Sequence, residues 1–381
     1  MTQYLPFDSL TWPEVARLPR NCPIVMPLGR GFDQIRLAEA LNQPPQIALL
    51  PSFPFGWRGS SLPVPEHILR GYLQNLINSL REDGFTDVFL LTPPDTNLAL
   101  GNCQIVQFYS SSPDSLFSLE DLSKVVLIPI GHTEQHGYHL PLSTDTIIID
   151  SITSQVINAI PEQACKLPVM PYGVSTHRSS FAGTLNAGGR AFEDFWLAVL
   201  DILVLLGFTR FYLLSGHGGN CSFLTNVVKY AGERHPHIFC ATSFLYLSSP
   251  QGIQILEQYR ESSTGGMGHA CELETSLMLF LHPDLVHMDR VVDETEFIST
   301  PSYYMDWVEG GSLIANPPWS DDTQSGAYGA GSLATKEKGE LWFKAAVQEK
   351  IGHVTEIHEQ YRRRAEKKKH WKANLIKPLP S

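Results

Sequence analysis

The sequence predicts an α/β protein: a three-layer α/β/α arrangement around a mostly parallel sheet, preceded by a degenerate α/β half-repeat. Three observations predict it. From Lys124 onward, short β-branched runs alternate with longer helical ones, the pattern of strands joined by helical crossovers. The strand-like runs end in turns rich in glycine, histidine and carboxylates, where open parallel sheets gather their ligands. The first hundred residues also echo the punctuation of the segment that follows.

That echo sets the first domain. CPIVMPLG ending at Gly29 resembles VVLIPIG ending at Gly131, LLPSFPFG ending at Gly56 resembles LPVMPYG ending at Gly173, and GFTDVFLLTPPDTN from Gly84 lies over GFTRFYLLSGHGGN from Gly207. The offsets are 102, 117 and 123 residues, so element order is kept with two short gaps. The shift of 102 sets Phe32, Gln34 and Gln43 opposite Glu134, His136 and Asp145, and the shift of 123 sets Pro94 opposite His217. Residues 1–112 then form a half-repeat without metal ligands, with the polar SSSPDS (Ser110–Ser115) as the joint to a second domain, 113–381.

In the second domain KVVLIPIG reads as a strand. TDTIIIDSITSQVINAI reads as a helix with Ile148, Ile152, Val156 and Ile160 on one face, and KLPVMPYG as a second strand. The apolar FWLAVLDILVLLGF contains Asp201 and is too short to span a bilayer, so it reads as a buried helix. RFYLLSG, SFLTNVVKYAGER and IFCATSFLYL continue as strand, helix and strand. GHACELETSLMLF then opens a helix whose buried face includes Leu273, Leu277 and Phe280.

Composition narrows the function classes. Of 381 residues, 43% are hydrophobic and 18% charged, enough for a sizeable core. A formal net charge of −11 offers no positive field for a nucleic-acid backbone. The basic YRRRAEKKKHWK near the C-terminus reads as a solvated helix end. Six scattered cysteines without a CxxC pair, and no basic-then-apolar leader, point to a reduced cytoplasmic protein with no membrane span and no nucleic-acid partner.

The chemistry gathers in four places. Glu134 and His136 stand two apart at a strand end and project from one face, and Asp145 opens the next helix, where a carboxylate is favoured and can use both oxygens. One imidazole with two carboxylates suits Zn, Mn or Fe better than the all-oxygen shells of Ca or Mg. His132 and His139 fit either a supporting or a surface role. His217, between glycines in SGHGGN, can approach a ligand closely or simply close a turn. His269 stands before a helix carrying Glu272 and Glu274, and spacing alone does not choose between these two acids.

Together GHTEQHGYHLPLSTD, PYGVSTHRSSFAGTL, LLSGHGGN, GHACELETS and YGAGSLATKEKGE, in that order, resemble the creatininase (creatinine amidohydrolase) family across about residues 113–360. The opening LTWPEVARLPRNCPIVMPLG resembles the usual family start as well. The resemblance implies two divalent metal ions. Glu134, Asp145 and His217 would hold one, and His136 with the bridging Asp145 the other. Creatininases proper complete the second site with a glutamate at the position of Gly219. Its absence directs the resemblance to the GHGGN branch, which includes formamide deformylases and a mycofactocin-type peptide-processing hydrolase. There Glu274 would complete the metal shell or act as base, with His269 and His177 beside the substrate.

The expectation is a cytoplasmic, homo-oligomeric amidohydrolase that cleaves a C–N bond of a small polar or cyclic, non-peptide amide by metal-activated water. Glu274, His269 and His177 are its candidate catalytic residues; Glu134, His136, Asp145, His217 and Glu274 are its candidate metal ligands. The rival expectation is a non-catalytic metal-binding or assembly protein of the same descent.

Overall fold

The computed structural model describes residues 2–375 apart from 95, 97, 109–115, 177–179 and 309, with side chains described as far as 369. His177 and the SSSPDS joint therefore lie outside the described residues.

The first unit runs β1 (Gln3–Pro6), α1 (Trp12–Arg17), β2 (Ile24–Pro27), α2 (Gln34–Ala40), β3 (Gln46–Leu49), α3 (Glu66–Glu82), β4 (Val88–Thr92) and β5 (Gln104–Gln107). Helix α1 opens with a capping box in which the Thr11 N–H and hydroxyl both donate to Glu14, at 2.8 and 2.9 Å, and Pro13 occupies the first turn, where its missing N–H costs nothing. The strands pair in the order β1-β3-β2-β4-β5, all parallel.

The second unit runs β6 (Val125–Ile130), α4 (Thr144–Ala159), β7 (Ala164–Lys166), α5 (Gly189–Leu205), β8 (Arg210–Ser215), α6 (Gly218–Arg234) and β9 (Phe239–Ser243). Its strands pair in the order β7-β6-β8-β9, again all parallel. There follow α7 (Pro250–Tyr259), β10 (Met267–His269), α8 (Glu272–Leu281), β11 (Tyr328–Gly329) and the long α9 (Lys336–Leu375).

Alternation along the strands fixes how the layers stack. In β6, Val126, Ile128 and Ile130 point into a core shared with α5 and α6, while Val125 and Leu127 meet α4, α8 and α9. In β2, Ile24 and Met26 point into that same shared core beside α3, while Val25 meets α2. Helices α3 and α5 thus lie between the two sheets, packed through Phe53, Phe55, Tyr72, Phe192, Phe195 and Trp196.

Several sequence expectations shift. KLPVMPYG is not a strand: β7 ends at Lys166, and beyond it only Met170 bridges to Ile130, because Pro168 and Pro171 have no N–H for the ladder. Helix α6 begins at Gly218, four residues before the expected SFLTNVV start. On α8, Leu273 and Leu277 are buried as expected, but Phe280 is only half-buried and packs at a tilt against Phe343 of α9. Gln43 does not stand opposite Asp145. Helix α2 ends at Ala40, so Gln43 falls in the turn after it, whereas Asp145 sits in the first turn of α4; by helix position its counterpart is Ile35. The apolar α5 is a buried helix, and no described helix is long and apolar enough to cross a membrane.

The aromatic layer between α3 and α5 yields a stability prediction. Phe195 is fully buried among Phe53, Phe55, Tyr72 and Trp196, so Phe195→Ala should lower unfolding stability in urea by about 3–5 kcal/mol. A loss under about 1 kcal/mol would contradict this packing.

Candidate metal centre

The site lies beyond the carboxyl ends of β6 and β8, as open parallel sheets favour. After Ile130 the chain passes tightly over α4: a Cβ on Gly131 would lie 2.3 Å from Thr146 Oγ1. The Glu134 N–H donates to Leu142 O at 3.1 Å and pins the loop that returns to α4. The first unit braces the same turn, since Leu142 and Ser143 donate their N–H groups to Leu10 O and Asp8 O, both at 2.9 Å.

Three histidines are anchored in one way. A backbone carbonyl can only accept, so the ring nitrogen facing it carries a proton and the other nitrogen takes the opposite direction. His136 Nδ1 donates to Glu134 O at 3.1 Å, His217 Nε2 to Val174 O at 2.9 Å, and His269 Nε2 to Gln135 O at 2.7 Å. The remaining nitrogens converge on carboxylates. His217 Nδ1 lies 2.7 Å from Glu134 Oε1 and 3.4 Å from Asp145 Oδ2, and His136 Nε2 lies 3.1 Å from Asp145 Oδ1 and 3.8 Å from Glu274 Oε1. His269 Nδ1 lies 3.9 Å from Glu134 Oε1. Asp145 thus turns one oxygen to each of two histidines. With Nε2–H committed to Gln135 O, donation by His269 into the site requires protonation at Nδ1.

The structure separates the two glutamates of α8. Glu272 turns away: it accepts from the Glu261 and Ser262 N–H groups and pairs with Lys338 Nζ at 2.7 Å. Glu274 turns in, its Oε2 held by the Ala270 N–H at 2.5 Å and its Oε1 facing His136. The site residues Glu134, His136, Asp145, His217, His269 and Glu274 are all 2% exposed or less.

Burial opposes charge here, yet the carboxylates prevail. Burial alone would lower the His136 imidazole, but Asp145 and then Glu274 raise it well above the ordinary histidine range. His217 is raised to about 9: burial lowers it, and Glu134 with Asp145 more than reverse that. Gathering three carboxylates in a dry pocket costs several kcal/mol per charge unless positive charge is supplied. Protonated imidazoles supply it without metal. Divalent cations would supply it while taking the inward nitrogens as ligands, and anchoring the far N–H on a carbonyl is how metal-binding histidines are fixed. The donor set fits such ions: Glu134, His136 and His269 form one possible group, and His136, Asp145 and Glu274 another.

The two unassigned histidines support this centre. His132 Nδ1 accepts the Gly173 N–H at 2.9 Å, so in the neutral ring Nε2 bears the proton and faces Glu134 Oε2 at 3.9 Å. His139 Nε2 meets Thr275 Oγ1 at 2.9 Å, and burial, helped by the charge of His136, lowers its pKa to about 4. Gly219 leaves no room for the glutamate of creatininases proper, because a Cβ there would lie 2.3 Å from His217 Nε2 and 2.6 Å from Val174 O. Asn220 ties the parts together, donating to Gly131 O and accepting from the Val174 N–H.

Sequence reasoning missed the walls. A cavity of about 600 Å³ opens on His217, His269 and Glu274 and is lined by Phe244, Met305, Trp307, Ile314 and Trp319. These residues come from loops without periodicity. The one available signal was the unusual concentration of tryptophan and tyrosine between Tyr303 and Tyr328. Trp319 lies edge-on to His269 at 5.0 Å and stacks on Tyr328. Gln135, inside the quoted motif, was also passed over; it receives His269 and donates its side-chain amide to Gly326 O.

With this geometry in view, the comparisons with known proteins fall into place. Residues 112–354 match the creatininase family, described as creatinine amidohydrolase. The creatinine amidohydrolase of Pseudomonas putida is 28% identical over 250 residues, covering 62% of this chain and 90% of that protein. The mycofactocin precursor peptide peptidase of Mycobacterium ulcerans is 30% identical over 179 residues, covering 44% of this chain and 62% of that protein. Among solved structures, a creatininase variant in a Zn-Zn form is 26% identical with a TM-score of 0.50, covering 63% of this chain and 91% of that one. The matched span is well over half of the 381 residues and contains every described member of the cluster. The chain belongs to the creatininase family of hydrolases.

Proposed function

We propose that this protein is a metal-dependent amidohydrolase that cleaves a C–N bond of a small polar or cyclic amide. The observation that carries the reading is Asp145, with one oxygen beside His136 Nε2 and the other beside His217 Nδ1, both rings anchored from behind by carbonyls. Glu134, Asp145 and His217 would hold one divalent ion, and His136, Asp145 and Glu274 a second, of the zinc, manganese or iron class. The Zn-Zn form of the creatininase variant supports a pair of ions. Such ions, when bound, polarise a carbonyl oxygen and bring the pKa of a water down toward about 7.

The chain's own residues do the rest. Glu274 has Oε2 held by the Ala270 N–H, so Oε1 is the oxygen it turns to the site: it completes the shell of the second ion or, where it leaves that shell, takes the proton of the attacking water and passes it to the departing nitrogen. His269, protonated at Nδ1, donates to the oxyanion of the tetrahedral carbon. Gln135 holds the far side of that ring, which fixes its direction. Trp319 and Trp307 line the cavity and would give a planar amide aromatic surface to pack on.

A second reading is cleavage near the end of a short peptide. It is favoured by a cavity of about 600 Å³ with mainly apolar walls, and by the 30% identity to a peptide peptidase. Turnover of cyclic amides, formamides and short peptides by the metal-loaded enzyme separates the two. Turnover of none would favour a binding or assembly role.

Two outcomes follow from the shared carboxylate. Gently purified protein should carry close to two ions per chain, and Asp145→Ala should lose both along with at least a hundredfold of kcat; near-stoichiometric metal in the variant would contradict the bridge. At pH 7 the raised His136 and His217 are protonated, so metal must displace their protons. Calorimetry in buffers of different ionisation enthalpy should show about two protons released per chain, and affinity should rise with pH through the His217 titration at about 9. Binding without proton release would contradict the assignment.

A further inference from the structure

We infer that residues 3–107 are an inactivated copy of the 124–243 unit, and that this copy fills, within one chain, the position of a two-fold related partner. The copies share strand order, β3-β2-β4-β5 against β7-β6-β8-β9. They also share hydrogen bonds that lie outside the regular ladders, on residues related by the offsets of 102, 117 and 123. Phe53 N donates to Pro27 O at 2.8 Å and Gly29 N to Phe53 O at 3.0 Å; in the second unit Met170 N donates to Pro129 O at 3.0 Å and Gly131 N to Met170 O at 2.8 Å. Val64 N meets Gly56 O at 3.0 Å where Ala187 N meets Gly173 O at 2.9 Å. Phe85 N meets Leu80 O at 3.1 Å where Phe208 N meets Leu203 O at 3.0 Å, each pair closing a turn at a left-handed glycine, Gly84 at φ 90° and Gly207 at φ 102°. The helix-ending pair is common among helices in general, but the bonds of Phe53, Gly29 and Val64 and their counterparts fall at aligned positions that a generic resemblance between βαβ units does not dictate.

The packing has the form of a two-fold interface. In such a contact the same patch is used on both sides, and a residue on the axis meets its own counterpart. Helices α3 and α5 correspond, and each lies in the layer between the sheets. Tyr72 and Phe195 are 123 residues apart, and their ring centroids are 4.9 Å apart. Off the axis, contacts are reciprocal: Phe55 stacks on Phe195 at 6.2 Å, and Tyr72, the counterpart of Phe195, donates its hydroxyl to the carbonyl of Tyr172, the counterpart of Phe55, at 2.7 Å.

The first copy has no cluster to serve. By the offset of 123 Pro94 takes the place of His217, and by helix position Gln34 and Ile35 answer to Thr144 and Asp145, so the loop before α2, with Phe32, is eight residues shorter than the one that carries Glu134 and His136; among the described residues no helix between β4 and β5 corresponds to α6. Its remaining work is on its neighbour's site. Leu10 O and Asp8 O brace the turn before Asp145, and Trp12 packs against Tyr138 at 5.5 Å and Phe181 at 5.3 Å.

A full-length chain with a protease recognition sequence in place of residues 109–115 tests this. After cutting, the two pieces should sediment together at the mass of the uncut protein. Tyr72→Asp, or Asn75→Arg at the edge of the interface, should part them, and the released large piece should then pair with itself through α5. Circular dichroism reports whether that piece remains folded. The inference is overturned if the pieces part without a substitution, if neither variant parts them, or if the released large piece stays monomeric or unfolds.

Discussion

The carboxylate of Asp145, shared between His136 and His217, is the constraint on which the rest of the site depends. It fixes the distance between two strand ends, because one histidine follows β6 and the other follows β8. Asp145 sits in the first turn of α4, where the helix dipole favours negative charge, so its direction is set by the helix rather than by a mobile loop. The surroundings are cut to admit it. A Cβ on Gly216 would lie 2.2 Å from the Asp145 carbonyl oxygen, so the turn after β8 can carry only glycine there without moving the helix.

Around that carboxylate, charge and hydrogen bonding are arranged in depth. The histidines are held from behind by carbonyls of Glu134, Val174 and Gln135, and Glu134 is faced by a fourth ring, His132, whose tautomer is set by the Gly173 N–H. Each of those backbone groups belongs to a loop that is itself tied down. Val174 is held by Asn220, and Gly183, Asn186 and Ala187 are held by Asp83, at the end of α3, and by Ser79 and Asn75 within it. The first unit is thus coupled to the geometry of the candidate metal centre without adding a residue to the cluster. Its aromatic layer packs against α5, and hydrogen bonds from Asp8, Leu10 and α3 tie it to the loops that carry the cluster.

Much of this was legible in the sequence. β-branched runs gave the strands of the second unit because their alternation matches a two-sided core, and the cluster motifs stood where parallel strands end. Prolines 168 and 171 should have argued against a second strand through KLPVMPYG, and the structure ends β7 before them. Spacing could not separate Glu272 from Glu274, because the difference lies in distant partners: Lys338 on α9 captures one, and the Ala270 N–H turns the other inward. Alignment by a single offset misplaces the counterpart of Asp145, since twelve residues separate Gly131 from α4 and only four separate Gly29 from α2, so the register changes in the loop before the helix. The cavity walls from Phe244 to Trp319 were invisible because they come together only through loop packing.

The most direct measurement of the central claim is anomalous diffraction at the metal edge from crystals of protein loaded with zinc or manganese. Two peaks flanking Asp145, one beside Glu134 and His217 Nδ1 and the other beside His136 Nε2 and Glu274 Oε1, are the predicted result. A single peak with Asp145 outside its shell, or metal bound away from these residues, would contradict it.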